Sequence, residues 1–282
     1  MEFWYTEEQT ENVRLSMKIK EQLYSRKSPF QQIDVFQTEE FGKLLTIDGL
    51  VMVTEKDEFV YHDMITHVAM ATNPEIKRVL VIGGGDGGTV RELTRYSTIE
   101  KIDMVEIDEV VVIACREHLQ QTACKLDDPR VSLYFEDGLK FVENKKDVYD
   151  LILVDSTDPI GPGEGLFTNE FYTNCFNCLS ENGILINQNE SPFYEHNARE
   201  MKRANTKIKN IFPICRPYQY CIPTYPSGFW LFGFASKKLD PIKDLDADRW
   251  NSLGLKTKYY NTDLHVGAFA LPSYVKEMLD SE

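Results

Sequence analysis

The run VLVIGGGDGGTVRELT, Val79 to Thr94, constrains this chain more than any other stretch. Four apolar residues predict a buried strand, the glycines a tight turn, and the residues from Thr89 onward a helix. Together they form a corner where bare backbone lets a ligand come close. The G-x-G-x-x-G spacing of Gly83, Gly85 and Gly88 is a weak signal alone, since such turns also serve only to pack a helix on a strand. In a dinucleotide-binding turn, backbone N–H groups and a helix N-terminus face a pyrophosphate. Here Asp86 sits inside the turn, and its carboxylate would repel a phosphate and attract a cation. The ligand predicted for this corner is a nucleoside carrying positive charge, such as a sulfonium.

A chain of 282 residues has room for one large domain or two smaller ones. A net charge of −14 disfavours a nucleic-acid partner, which would need clustered Lys and Arg, and suits a cationic substrate. No stretch approaches the roughly 20 apolar residues of a membrane span. The opening MEFWYTEE lacks a basic segment and an apolar run, so a cytoplasmic protein with no membrane partner is expected. The Cys175–Cys178 pair lies in FYTNCFNCL, whose apolar spacing is helical, and free thiols are the expectation. His67, His118, His196 and His265 lack a ligand-like spacing, so no metal is predicted.

Residues 1–72 read as an N-terminal antiparallel β domain with a linking helix, and 73–282 as the larger catalytic domain. After a polar opening with a short helix come the strands IDVFQ (33–37), GKLLTID (42–48) and LVMVT (50–54), with Asp48-Gly49 as a hairpin signal. EFVYHDMITHVAM (58–70) turns helical. From Lys77 strands alternate with helices: VLVI (79–82), IDMV (102–105), VSLYF (131–135), DLILV (150–154) and ILIN (184–187). This predicts an α/β fold with a mostly parallel, Rossmann-like sheet covered on both faces. SGFWLFGF (227–234) and AFAL (268–271) look like an antiparallel ending.

In an open parallel sheet ligands bind at the carboxyl ends of the strands. Four successive ends carry acids here: Asp86, Glu106, Asp137 and Asp155. Glu106 stands about twenty residues after the glycine turn, where a carboxylate can take two ribose hydroxyls. Asp137, in FEDG, is placed to accept from an adenine amino group, although Asp before Gly is also common turn chemistry. In DSTDPIGP, Asp155 and Asp158 project oxygens into the cleft from a loop stiffened by Pro159 and Pro162.

GGGDGG, VEID, EDG and DSTDPIGP, with DEFVYH (57–62), IPTYPSG (222–228), KYYN (258–261) and HVGAFALP (265–272), closely resemble the spermidine synthase family of polyamine aminopropyltransferases. The resemblance runs from about Trp4 to near the C-terminus. It implies a methyltransferase-type sheet and transfer of an aminopropyl group from decarboxylated S-adenosylmethionine, a co-substrate rather than a cofactor, to putrescine. It implies that Glu106 holds the ribose, Asp137 with Gly138 the adenine, and that Pro162 and Gln31 lie by the nucleoside. Gly83 and Gly85 would flank the donor, with Asp86 on the aminopropyl ammonium. Tyr61, His62, Asp155, Asp158, Gln188, Glu190 and Tyr225 would face the amine, with Asp155 as the general base. Met52 departs from the pattern, standing where many members have a glutamine. A homodimer or homotetramer is also implied.

The chemistry agrees. The donor carries no carboxylate, so Asp86 would favour it over intact S-adenosylmethionine. The leaving thioether is neutral and needs little acid help. The amine, with a pKa of about 10.4 like Lys, must first lose a proton. Asp155 could take it or only position the amine. Competing readings are agmatine, cadaverine or spermidine as acceptor, putrescine methylation on the same fold, a catalytically dead binding module, and an NAD-dependent oxidoreductase.

Overall fold

The computed structural model describes residues 2–157 and 161–281. Asp158, and the side chain of Pro162, lie outside what it describes. A first sheet is antiparallel throughout, in the order β1 (Phe3–Thr10), β2 (Val13–Lys27), β3 (Gln32–Thr38), β4 (Lys43–Ile47), β5 (Leu50–Thr54). Asp48 and Gly49 both take positive φ, the conformation that a tight hairpin between β4 and β5 needs. The short helix predicted at the opening is instead the β1–β2 hairpin. Its residues alternate, with Tyr5 and Glu7 inward and Trp4 and Thr6 outward, a period of two rather than 3.6.

Helix α1 (Glu58–Thr72) follows, and nearly every residue in it is buried. It bridges the sheets: one apolar core runs from Ile33, Val35 and Leu45 through Met64, Ile65 and Val68 to Val79 and Val81. The second sheet then builds in the predicted alternation. Its elements are β6 (Arg78–Gly83), α2 (Gly88–Leu93), β7 (Lys101–Val105), α3 (Glu109–His118), α4 (Gln120–Ala123), β8 (Val131–Tyr134), α5 (Gly138–Val142) and β9 (Tyr149–Asp155). A 3-10 helix (Gly161–Phe167), α6 (Asn169–Cys178), β10 (Leu179–Gln188), α7 (Glu195–Lys209), β11 (Ile214–Cys221) and β12 (Phe229–Ser236) complete it.

The strand order is β11-β12-β10-β9-β6-β7-β8, with β8, β7, β6, β9 and β10 parallel and β12 antiparallel to both neighbours. This is the mostly parallel α/β sheet that the alternation predicts. Both faces are covered: Val79 and Val81 point into the core shared with α1, Leu80 and Ile82 into a second core with Phe171 and Tyr172. Strand order reverses between β6 and β9, so the crevice above their carboxyl ends is where a ligand fits.

AFAL is not a strand. The chain ends in α8 (Ala247–Ser252), α9 (Thr262–Ala268) and α10 (Ser273–Asp280). Asn261 caps α9 by accepting from the Leu264 N–H at 2.7 Å, a start signal that outweighs four apolar residues of ambiguous period. The edge strand beyond β12 is β11, which Pro217 conceals in the sequence; an edge strand tolerates the missing N–H. All six cysteines are free thiols. Among the described residues no helix is long and apolar enough to cross a membrane.

Candidate active site

A cleft of about 270 Å³ opens at the carboxyl ends of β6, β7 and β9, roofed by the first sheet. Of the residues singled out in the sequence, Gln31, Tyr61, His62, Gly83, Gly85, Asp86, Glu106, Asp137, Gly138, Asp155, Gln188 and Tyr225 line it. Glu190 is set back, its Oε2 accepting from Asn197 Nδ2 at 2.6 Å. The glycine turn is riveted to β9: the Gly84 N–H donates to the Asp155 carbonyl at 2.8 Å. Gly83, at φ +81°, passes so close that a Cβ would lie 2.1 Å from that carbonyl oxygen. Gly88 is bare for another reason, since a Cβ there would sit 2.2 Å from the His62 ring.

At one end stand Glu106 and Asp137. Glu106 is 8% exposed; burial, aided by the charges of Asp108 and Asp155, pushes its pKa up to about 7 although the Asp108 N–H donates to its Oε1. Asp108 caps α3 and accepts from Ser28 Oγ at 2.6 Å, and Ser28 in turn accepts from the Gln31 N–H. One hydrogen-bonded path therefore ties Gln31, just before β3, to Glu106, just after β7. Asp137 caps α5, accepting from the Leu139 N–H at 2.9 Å, so both readings of this residue apply: it makes the turn and lines the cleft.

At the other end the acids are not open carboxylates. Asp86 Oδ1 accepts from the Gly88 N–H at 2.8 Å and lies 3.2 Å from His62 Nε2. His62, buried against it from α1, is one of its partners. Asp155 Oδ2 accepts from Thr89 Oγ1 at 2.6 Å, and the Tyr61 hydroxyl also bonds its carboxylate. Burial and the charge of Asp86 raise the Asp155 pKa, while His62, Thr89 and Tyr61 pull the other way. For His62, burial works to lower the pKa, but Asp86 and Glu58 outweigh it and hold it well above the ordinary value. Tyr225 donates its hydroxyl to the Met52 carbonyl at 2.6 Å, so Met52 serves the site through its backbone.

Sequence spacing gives none of the other histidines a ligand-like pattern, but tertiary structure brings acids to His67. Asp63, His67 and Glu92 gather their ligand atoms within 4.8 Å, as do His62, Asp86 and Asp155. In the first group, Asp63 Oδ2 accepts three backbone N–H groups from 258–260, and Glu92 pairs with Arg91 and Arg95. Those acids are already held, Asp63 by backbone N–H donors and Glu92 by two guanidinium groups, as a structural network requires. KYYN thus docks the C-terminal segment onto α1, and in HVGAFALP His265 bonds Tyr260 and the Pro241 carbonyl. These two motifs build scaffold rather than cleft.

Sequence reasoning missed several residues. Glu58 lies one turn before His62, and the i,i+4 spacing was the available signal. Thr89 had none, because its partner is 66 positions away. Glu7, Glu8 and Gln9 reach the cleft only because the opening is a strand. Asp57 joins two motifs, accepting from both the N–H and hydroxyl of Thr224 and so fixing the loop that carries Tyr225.

Known proteins place this geometry. The spermine/spermidine synthase domain profile matches residues 58–246, and the spermidine synthase tetramerisation domain profile matches 3–55. Polyamine aminopropyltransferases of Clostridium perfringens and Alkaliphilus oremlandii are 72% and 70% identical, over 100% of this chain and 99% of theirs. The spermidine synthase of Thermotoga maritima superposes with a TM-score of 0.94 at 44% identity, covering 98% of this chain and 94% of that one. A spermidine synthase crystallised with the transition-state analogue AdoDATO gives 0.96 at the same identity and coverage. The chain belongs to the spermidine synthase family and is an enzyme, a polyamine aminopropyltransferase.

Proposed function

We propose that the acceptor is putrescine and the donor decarboxylated S-adenosylmethionine, with spermidine and methylthioadenosine as products. The observation that carries this reading is the pair Asp86 and Asp155 at one end of a cleft whose other end offers Glu106 and Asp137. The 44% identical relative crystallised with AdoDATO supports the donor assignment. In this reading Glu106 accepts from the ribose hydroxyls, Asp137 with Gly138 meets the adenine, and Gln31 and Pro162 flank the nucleoside. Asp86 attracts the aminopropyl ammonium and would repel the carboxylate of the intact methyl donor.

The amine must arrive or become neutral before it can attack. Asp155, with its proton affinity raised by burial and by Asp86, is a better base than an Asp in water. It takes one proton from the amine. The nitrogen lone pair then forms a bond to the propyl carbon as the carbon–sulfur bond breaks, and that electron pair leaves on sulfur as a neutral thioether. Holding nitrogen, carbon and sulfur in line supplies much of the rate. Tyr61, Gln188 and Tyr225 line the amine side, and this reading also assigns Asp158 and Glu190 to the amine. The test is a panel of putrescine, cadaverine, agmatine and spermidine with the decarboxylated donor, read by mass spectrometry. Putrescine should give the highest kcat/KM; a different best acceptor replaces it in the reading.

The tetramerisation profile over 3–55, with Phe3 and Trp4 exposed at 59% and 55% on edge strand β1, supports a homo-oligomer, read here as a tetramer. Light scattering behind size exclusion should give four chains, and a monomer at working concentration defeats it.

A further inference from the structure

Both ring nitrogens of His62 face carboxylates, and the two partners are not equivalent. Nδ1 lies 2.6 Å from Glu58 Oε2, one turn earlier on α1, and Nε2 lies 3.2 Å from Asp86 Oδ1. Glu58 is 3% exposed, and its carboxylate takes four donors. Oε1 accepts from Arg91 Nη1 and Gln121 Nε2, each at 2.9 Å; Oε2 accepts from Arg91 Nη2 at 2.9 Å and from His62. A carboxylate held by both arms of a guanidinium stays ionised and can only accept. His62 Nδ1 must therefore carry a proton whatever occupies the cleft. The ring is also held in place from below, since it lies directly on Gly88.

We propose that Glu58 and Arg91 are positioning residues for the amine half of the site: they hold the Nδ1 proton of His62, so that Nε2 is what that ring presents to Asp86 and its neighbour Asp155. The proposal rests on the reading of Asp86 and Asp155 as the acids that handle the cationic substrates. His62 is faced by Glu58 and, edge-on at 5.6 Å between ring centroids, Tyr61 from its own helix, by Asp86 from the glycine turn, and by the charge of Asp155 from β9. Arg91 of α2 and Gln121 of α4 act on it through Glu58. With Glu58 ionised behind it, the ring stays an imidazolium against two acids. That cation opposes the burial and the Asp86 charge that would otherwise keep Asp155 protonated. Glu58 thus sets, two contacts away, how readily Asp155 exists as a base.

The test is Glu58→Gln, an isostere that brings no charge and can turn either end of its amide to Nδ1. The acidic limb of kcat/KM for the amine should move up by about one pH unit or more, as expected when one neighbouring opposite charge is lost. kcat near neutrality should fall on the order of tenfold, with methylthioadenosine affinity unchanged. Nitrogen-15 NMR of the ring, assigned among the five histidines with His62→Asn, should show both nitrogens protonated through neutral pH in the wild type and not in the variant. An unmoved limb with wild-type ring signals overturns the proposal. So does a loss confined to thermal stability or active fraction, the mark of a merely structural pair. Should Glu58→Gln not fold, Arg91→Lys, which keeps the charge and loses the two-armed grip, is expected to shift the limb the same way by less; no shift there overturns it. The ring signals are read without substrate, so they judge Glu58 separately from Asp155→Asn, whose retained turnover would remove the underlying reading instead.

Discussion

Two histidines five positions apart on α1 make a natural comparison. His62 and His67 are each buried, at 2% and 0% exposure, and each stands between two carboxylates. His62 lies between Glu58 and Asp86, and Asp86 borders the cleft. His67 lies 3.2 Å from Glu92 and 3.6 Å from Asp63, with Nδ1 bonded to the Tyr96 hydroxyl at 2.6 Å. The Trp250 indole N–H can only donate, so Tyr96 accepts from it while also bonding His67. Every acid around His67 is matched by backbone N–H groups or arginine, and aromatic rings of Tyr96, Trp250 and Tyr260 close it off. The same charges that hold a sealed scaffold become a site where one face is left for a ligand.

The comparison can be broken at its open end first. Asp155→Asn should lower kcat by about 10² to 10⁴-fold, the range of a lost general base, with methylthioadenosine still binding by calorimetry. Wild-type turnover would take Asp155 out of the chemistry. His62→Asn should follow, with kcat/KM for the amine down by up to about 100-fold, the cost of a misplaced positioned group. An unaffected amine KM and kcat would make His62 the equal of His67.

Glu106 sharpens the contrast through pH. Burial pushes its pKa up to about 7, and ribose hydroxyls donate best to the ionised form. Below that pH a proton must leave for the nucleoside to bind, so affinity should weaken as pH falls, by up to about tenfold per unit. Glu106→Gln should flatten the dependence; a flat wild-type curve rejects the assignment. The smallest effect on chemistry is expected at His67. His67→Asn strands the Tyr96 hydroxyl and should cost about 1–3 kcal/mol in denaturant unfolding while leaving both KM values in place. Altered KM values there would erase the distinction.

How much of this was legible depends on distance along the chain. The β6–α2 corner could be read because strand, glycines and Asp86 are contiguous. The strand-end acids could be read because a parallel sheet puts successive ends on one edge. The β1–β2 hairpin was misread because its inward residues include Glu7, so the alternation looks polar. AFAL was misread because four apolar residues fit either period.

The sequence alone determined the alternation of strands and helices from β6 to β10, the acidic rim and the glycine turn, because periodicity and local backbone preference act over a few neighbouring residues. Tertiary structure decided which acids stay open. Glu58 reaching Arg91, Asp57 holding Thr224 and Ser28 tying Gln31 to Asp108 are pairings across 33, 167 and 80 positions of chain. A buried charge must find its partner in space, and no local pattern records where that partner will come from.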